Sequence, residues 1–245
     1  MKTKLSVNLN KIALLRNQRD LHYPSVTNIA RIAIAAGAEG ITVHPRPDER
    51  HIRPSDVREL NSLLKSEYND KVEFNIEGYP TKAFLELVRE VKPTQVTLVP
   101  DAPDQRTSDH GWNTSVEGER LQSVVAHIHE TGARVSLFID ADAEEIPQVS
   151  RIGAERIELY TEPYARAYAK AAFEDELDRY SATAQAAVEL DIGVNAGHDL
   201  TLDNLPPFKQ RIPMLAEVSI GHAITADALE CGFPAAVNAY RAAVA

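Results

Sequence analysis

The sequence predicts a single (β/α)8 barrel, a TIM barrel, over residues 1–245. Three observations lead there. Eight short runs rich in Val and Ile recur along the chain, their starts about 30 residues apart on average, the length of one strand-plus-helix unit. Helix-like patterns fill the gaps between them. The alternation continues from end to end with no linker, composition break or low-complexity segment, and eight such units in 245 residues match the size of a closed barrel. A doubly wound open sheet is the alternative. It usually carries a glycine-rich phosphate loop after its first strand, whereas here the first run leads into Asn10, Lys11, Ile12 and Ala13.

Strands are expected over Leu5–Asn10, Gly40–His44, Val72–Glu77, Gln95–Val99, Arg134–Asp140, Arg156–Tyr160, Gly193–Ala196 and Ala216–Ile220. Most read as near-continuously apolar, as strands buried on both faces do. Ser25 suits the N-cap of a helix carrying Ile29, Ile32 and Ile34 and ending at Gly37. Pro54, Ser55 and Asp56 precede a helix with Val57, Leu60, Leu63 and Leu64. Thr81 precedes one with Phe84, Leu85, Leu87, Val88 and Val91. Ser115 starts a run with Leu121, Val124, Val125 and Ile128 that ends near Gly132. A short helix is expected over Ala143–Ile152, and a long, alanine-rich one over Phe173–Leu190. Leu202–Phe208 has room for one or two turns, limited by Pro206 and Pro207. One helix, Ala226–Ala243, closes the chain.

The formal net charge of −10 argues against nucleic acid or an anionic membrane as partner. No apolar run approaches the roughly 20 residues that span a bilayer. Residues Met1 to Lys4 lack the apolar core of a signal peptide, and the lone cysteine, Cys231, leaves no intramolecular disulfide, so a reducing cytoplasm is expected. Small anionic substrates remain compatible with the charge, given a local cluster of cations.

The stretch Ile41–His51 supplies that cluster. A buried strand delivers His44 at its end, and Arg46, Arg50 and His51 follow. Histidine moves protons near neutral pH, and arginine holds phosphate or carboxylate through a planar fork. Barrel active sites lie at the C-terminal strand ends, so the other ends matter equally. They carry Asn8, Asn10, Lys11, Arg16 and Arg19; Glu77; Asp101, Asp104 and Thr107; Asp140 and Asp142; Glu158 and Tyr160; Gly197 and His198; Gly221 and His222. Three histidines, His44, His198 and His222, are thus expected to point into one mouth.

Glu77 interrupts an apolar strand, where burial should raise its pKa and suit it to accept a proton; the alternative is a salt bridge to Arg46. His198 and His222 each follow a glycine in the loops where this fold holds phosphate; the alternative is a tight turn with a histidine cap. Glu158 either braces the interior or serves the site, and Asp140 and Asp142 read as structural. His127 and His129 lie in a helix pattern, where i and i+2 face apart. No other histidine or cysteine spacing suits zinc, so no metal is expected.

At these residues the chain resembles the pyridoxine 5′-phosphate synthase family. The resemblance runs from Val7 to about Ala223 and rests on five segments in order: 7–19, 40–52, 135–142, 194–198 and 220–223. It implies condensation of 1-deoxy-D-xylulose 5-phosphate with 3-amino-2-oxopropyl phosphate, releasing inorganic phosphate and water, without metal or organic cofactor, in a homo-octamer of barrels. Carried over by position, it makes His44 and Glu77 proton acceptors and His198 a proton donor. Asn8, Arg19, Asp199, Gly221 and His222 would bind the amino-ketone phosphate. Asn10, Lys11, Arg46, His51 and Thr107 would bind the deoxyxylulose phosphate. The chain departs from the common pattern with Asn10 and Lys11 where many members have Asp-His, with Asp199 where glycine is common, and with Pro45 between His44 and Arg46. The rival readings are a barrel aldolase or isomerase acting on another sugar phosphate, or a silent barrel that only binds a phosphorylated metabolite. No lysine at a mid-barrel strand end supports a Schiff base, and no acid/base candidate is missing.

Overall fold

The computed structural model describes residues 2–19, 21–101 and 108–245. Among these the order is β1 (Lys4–Asn8), α1 (Asn10–Arg16), α2 (Val26–Ala35), β2 (Gly40–Val43), α3 (Pro54–Tyr68), β3 (Glu73–Gly78), α4 (Lys82–Val91), β4 (Gln95–Leu98), α5 (Thr114–His129), β5 (Arg134–Ile139), α6 (Ile146–Ile152), β6 (Arg156–Tyr160), α7 (Glu162–Tyr168), α8 (Glu174–Glu189), β7 (Gly193–Gly197), α9 (Leu205–Arg211), β8 (Leu215–Ile220), α10 (His222–Cys231) and α11 (Phe233–Ala243). A 3-10 turn, Ala143–Glu145, precedes α6. Each strand pairs in parallel with the next, and β8 returns to β1, so the sheet closes as a (β/α)8 barrel.

Strands β1 to β4 alternate sharply, which corrects the near-continuously apolar reading for them, while β5 keeps an apolar run, Leu137, Phe138 and Ile139. Leu5 and Val7, Ile41 and Val43, Phe74 and Ile76, and Val96 and Leu98 belong to the buried apolar core that the helices cover. The residues between them turn into the barrel and are polar. Ser6 bonds Thr42 at 2.7 Å, Asn75 donates to Thr42 at 3.4 Å, and Thr97 donates to Asn75 at 3.0 Å. Both faces are buried, but the inner face is held by hydrogen bonds rather than by packed aliphatic chains, which is how buried polar groups avoid their desolvation cost.

Charge collects at the N-terminal end of the barrel. Lys4 reaches Glu73 at 3.1 Å, Arg134 donates twice to Gln95 (2.9 and 2.7 Å), and Arg156 donates to Asn195 at 2.8 Å. Burial pushes the Glu217 carboxyl up to about 7 against the pull of Arg156 and Arg134.

The helix cap at Ser25 forms as expected, accepting from the Asn28 N–H at 3.2 Å, and Thr81 caps α4 in the same way, accepting from the Phe84 N–H at 3.1 Å. Other expectations shift. β1 stops at Asn8, because Asn10 opens α1 with its N–H on Asn8 Oδ1 at 3.0 Å. Helices α1 and α7 were not anticipated; each has seven residues, too few to show a period. The cap of α5 is Asn113, which accepts from Val116 N–H at 3.1 Å, and not Ser115. Pro206 and Pro207 lie in the first turn of α9, where N–H groups lack helical partners anyway, so they start that helix instead of ending it. The single closing helix is two, α10 and α11, broken at Gly232 (φ 84°, ψ 148°) with Pro234 following.

Candidate active site

A cavity of about 560 Å³ opens at the C-terminal ends of the strands. Its walls are Asn8, Asn10 and Lys11; His44, Arg46, Arg50 and His51; Glu77; Ser108 and Asp109; Glu158, Tyr160, Glu162 and Arg166; His198 and Asp199; and Ser219 and Gly221. Alternation along the strands places Asn8, His44, Glu77 and Glu158 on the inner face at or near each strand's end.

His44 sits between two carboxylates. Its Nδ1 lies 3.8 Å from Glu77 Oε2, and its Nε2 lies 3.9 Å from Asp101 Oδ2. Burial holds the His44 imidazole well below the usual histidine range, with Arg46, His51, His198 and Arg50 adding to the effect. Both effects favour the neutral ring. Burial pushes the Glu77 carboxyl well up, helped by the charges of Asp101 and Glu217 and opposed by the Asn8 amide, which donates to Glu77 Oε2 at 3.4 Å. Arg46 pairs with Asp101 at 2.6 Å, not with Glu77, so the salt-bridge alternative for Glu77 is not what forms.

The loop carrying His51 is anchored to α1. Arg16 and Asp56 form a buried ion pair, and Asp56 also accepts the Arg53 N–H at 2.8 Å at the start of α3. Asn17 donates to the carbonyls of Arg50 (3.1 Å) and His51 (2.8 Å). His51 Nδ1 accepts the Ile52 N–H at 2.9 Å, and burial next to Arg46 and Lys11 lowers its pKa to about 4.

His198 has a left-handed backbone (φ 80°), as does Asp199 (φ 56°). Such residues are held in place by their surroundings. Thr161 supplies the hold, with its hydroxyl donating to the carbonyls of Gly197 (2.7 Å) and His198. The His198 ring packs at 4.9 Å from Phe138 and edge-on to Tyr160 at 5.7 Å. Burial lowers its pKa, while Asp199 and Asp101 pull it back up. Gly197 leaves room not for a ligand but for Glu158, whose carboxylate a Cβ there would strike. Glu158 is buried, Thr97 donates to it at 3.5 Å, and burial together with the Glu77 charge raises its pKa well above the ordinary value.

The expected residues do not all converge. His44, Arg46, His51, Glu77, His198, Asn8, Asn10, Lys11, Asp199 and Gly221 line the cavity. Arg19 and His222 are exposed and do not, so His44 and His198 share the mouth without the third histidine. Thr107 and Asp104 lie outside the described residues. The Asn10 side chain spends its oxygen on the His44 N–H at 2.9 Å. Asp140 accepts the Gly111 N–H at 3.2 Å and Asp142 caps the 3-10 turn at 2.9 Å, both structural tasks. The sequence reading counted Arg50 in the cationic cluster without giving it a ligand, missed Arg166 and Asp109, which also stand on the wall, and left Asp101 unselected beside His44. Asp101 had a signal, a charge three residues past the end of an apolar strand.

The model for the family "pyridoxal phosphate biosynthesis protein PdxJ" matches residues 5–245. The chain is 55% identical over 246 residues to the pyridoxine 5′-phosphate synthase of Brucella abortus (strain S19), covering 100% of both chains. It is 54% identical over the same coverage to that of Brucella anthropi. Among solved structures, a 4-hydroxy-2-oxoglutarate aldolase superimposes with a TM-score of 0.63 at 13% identity, over 100% of this chain and 96% of the other, a likeness of fold alone.

Proposed function

Because the chain belongs to the family of the vitamin B6 biosynthetic enzyme PdxJ, we propose that its barrel mouth condenses 1-deoxy-D-xylulose 5-phosphate with 3-amino-2-oxopropyl phosphate to pyridoxine 5′-phosphate, inorganic phosphate and water. The observation that supports this best is the neutral, buried His44 beside the protonation-prone Glu77, with Arg46 and His51 on the same wall of the cavity.

The reaction adds an amine to a ketone, expels phosphate, loses water and closes a ring, moving a proton at each step. Glu77 in its ionised form and the imidazole of His44 take the role of bases, the raised pKa making the Glu77 carboxylate a stronger base once it has lost its own proton. His198 takes the role of donor that the resemblance gives it, passing on a proton it has first taken up, since burial leaves its ring more often neutral. Arg46, His51, Asn10, Lys11 and Thr107 are assigned to the deoxyxylulose phosphate. Asn8, Asp199 and Gly221 on the cavity wall are assigned to the amino-ketone phosphate, and Arg19 and His222, exposed outside the cavity, would have to turn inward to join them. A cavity of about 560 Å³ suits two small phosphorylated molecules held in reacting contact. The assembly proposed is a homo-octamer. Leu15, Leu21, Tyr23 and Leu229 are 54%, 64%, 80% and 80% exposed, apolar surface of the kind that subunit contacts cover, and Arg19 lies in the same stretch. No helix among the described residues is long and apolar enough to cross a membrane, in keeping with a cytoplasmic enzyme.

The test is incubation of the purified protein with both substrates while following pyridoxine 5′-phosphate absorbance and phosphate release. Formation of both supports the reading. Absence of product under conditions where a Brucella relative is active overturns it.

A further inference from the structure

Asp101 follows β4 and is almost fully buried, with its side chain 4% exposed. Its Oδ2 is a meeting point. Arg46 donates to it at 2.6 Å, Ser108 donates at 2.9 Å, and His44 Nε2 lies 3.9 Å away. Its Oδ1 is equally buried and has no hydrogen-bond partner among the described residues. Leaving a buried carboxylate oxygen unpaired costs on the order of 1–3 kcal/mol. An ion pair serving the fold alone is better made with both oxygens used, as Asp56 does with Arg16.

The consequence lies in what the one charge touches. Glu77 faces the Nδ1 side of the His44 ring at 3.8 Å and Asp101 faces the Nε2 side at 3.9 Å, electrostatic contacts longer than hydrogen bonds that flank the ring on both sides. An anion at Nε2 favours a proton on that nitrogen, and the Nδ1 lone pair then faces Glu77 as an acceptor for its protonated form. The same oxygen fixes Arg46, so a phosphate clamp and a proton-transfer pair share one anchor. We infer that Asp101 is a positioning residue that orients the His44 imidazole and the Arg46 guanidinium together and sets the charge that Glu77 faces. This deepens the proposed synthase reading and rests on it for the identity of the reaction.

The groups around this centre are Asn8 from β1, Arg46, Arg50 and His51 from the loop after β2, Glu158 from β6, His198 after β7 and Glu217 from β8. Of these, Glu217 reinforces the anionic field on Glu77, the Glu77 charge in turn raises Glu158, and the arginines oppose protonation of His44. Removing the Asp101 charge alone therefore has a readable sign at Glu77.

The experiment compares full-length wild type, D101N and D101E. Glu77 is titrated by 13C NMR of labelled glutamate carboxyls, with E77Q giving the assignment, and kcat and KM are measured across pH. In D101N, Glu77 is expected to titrate about one pH unit lower than in wild type, with the acid limb of kcat moving the same way and kcat falling at least about tenfold. D101E should restore both. An unchanged Glu77 titration in folded D101N overturns the inference. If D101N does not fold, S108A carries the test, since it keeps the charge but removes its second anchor. Lower kcat at unchanged thermal stability supports the inference, and unchanged kcat overturns it. Wild-type protein that makes no product would sink the proposed reaction, and the titration would still decide Asp101.

Discussion

The Glu158 carboxylate occupies the space that a Cβ on Gly197 would need. The glycine before His198 thus serves the barrel interior as much as the loop. Its lack of a side chain lets β6 and β7 pair closely while a carboxylate stands between them. G197A is expected to displace Glu158 from Thr97 and tilt the backbone that carries His198. Overpacking of this kind costs about 1–3 kcal/mol. Thermal unfolding should show that loss, and steady-state rates should fall at least about tenfold, because both sides of the cavity move.

Glu77→Gln keeps the shape and the Asn8 contact but removes the base. Turnover should fall by about 10²-fold or more. Affinity for inorganic phosphate, measured by calorimetry, should stay within a few-fold of wild type, since the cationic wall is untouched. A collapse of phosphate binding would make Glu77 a structural residue.

Arg16→Ala breaks a buried ion pair and strands Asp56. Losses of about 3–5 kcal/mol follow from such a break. Because Arg16, Asn17 and Asp56 together fix the loop that bears His51, phosphate affinity should weaken along with stability. Denaturant midpoints and calorimetry on the same preparation check both. Stability loss with unchanged phosphate binding would show that the loop is held by other contacts.

A buried group and a half-buried one, Glu217 and His51, give stability opposite dependences on pH. Glu217 is raised from 4.5 to about 7, so the folded state keeps a proton that the unfolded chain releases. Its contribution is fully present below pH 4.5 and is lost as pH rises toward 7. His51 is lowered from 6.5 to about 4, so its contribution is present above pH 6.5 and is lost as pH falls toward 4. E217Q should therefore gain on the wild type between pH 5 and pH 8 by on the order of 2 kcal/mol, read from urea midpoints. H51Q should flatten the acid side instead. Parallel pH profiles for E217Q and wild type would remove Glu217 as the source.

Much of the fold was open to a reader of the chain, because the eightfold recurrence of strand and helix is a local pattern. The strand centres, the caps at Ser25 and Thr81, and the turn at Gly37 all express preferences of a few neighbouring residues. The polar barrel interior was written there too, in alternations such as Leu5-Ser6-Val7-Asn8 and Phe74-Asn75-Ile76-Glu77, but burial on both faces suggested aliphatic strands instead. The seven-residue helices and the break at Gly232 were not legible, because each depends on what the segment packs against.

By itself the sequence determined the eight-unit barrel and brought His44, Glu77 and His198 to the ends of its strands, since strand position and side-chain parity follow from local pattern. Only the tertiary structure decided which of those ends meet. It set Asp101, fifty-seven residues after His44 in the chain, within 3.9 Å of that ring, gave Arg46 to Asp101 and not to Glu77, and left His222 and Arg19 outside the cavity. Pairing across a closed barrel depends on register, loop path and the balance of buried charges, and none of these is carried by any one segment of the chain.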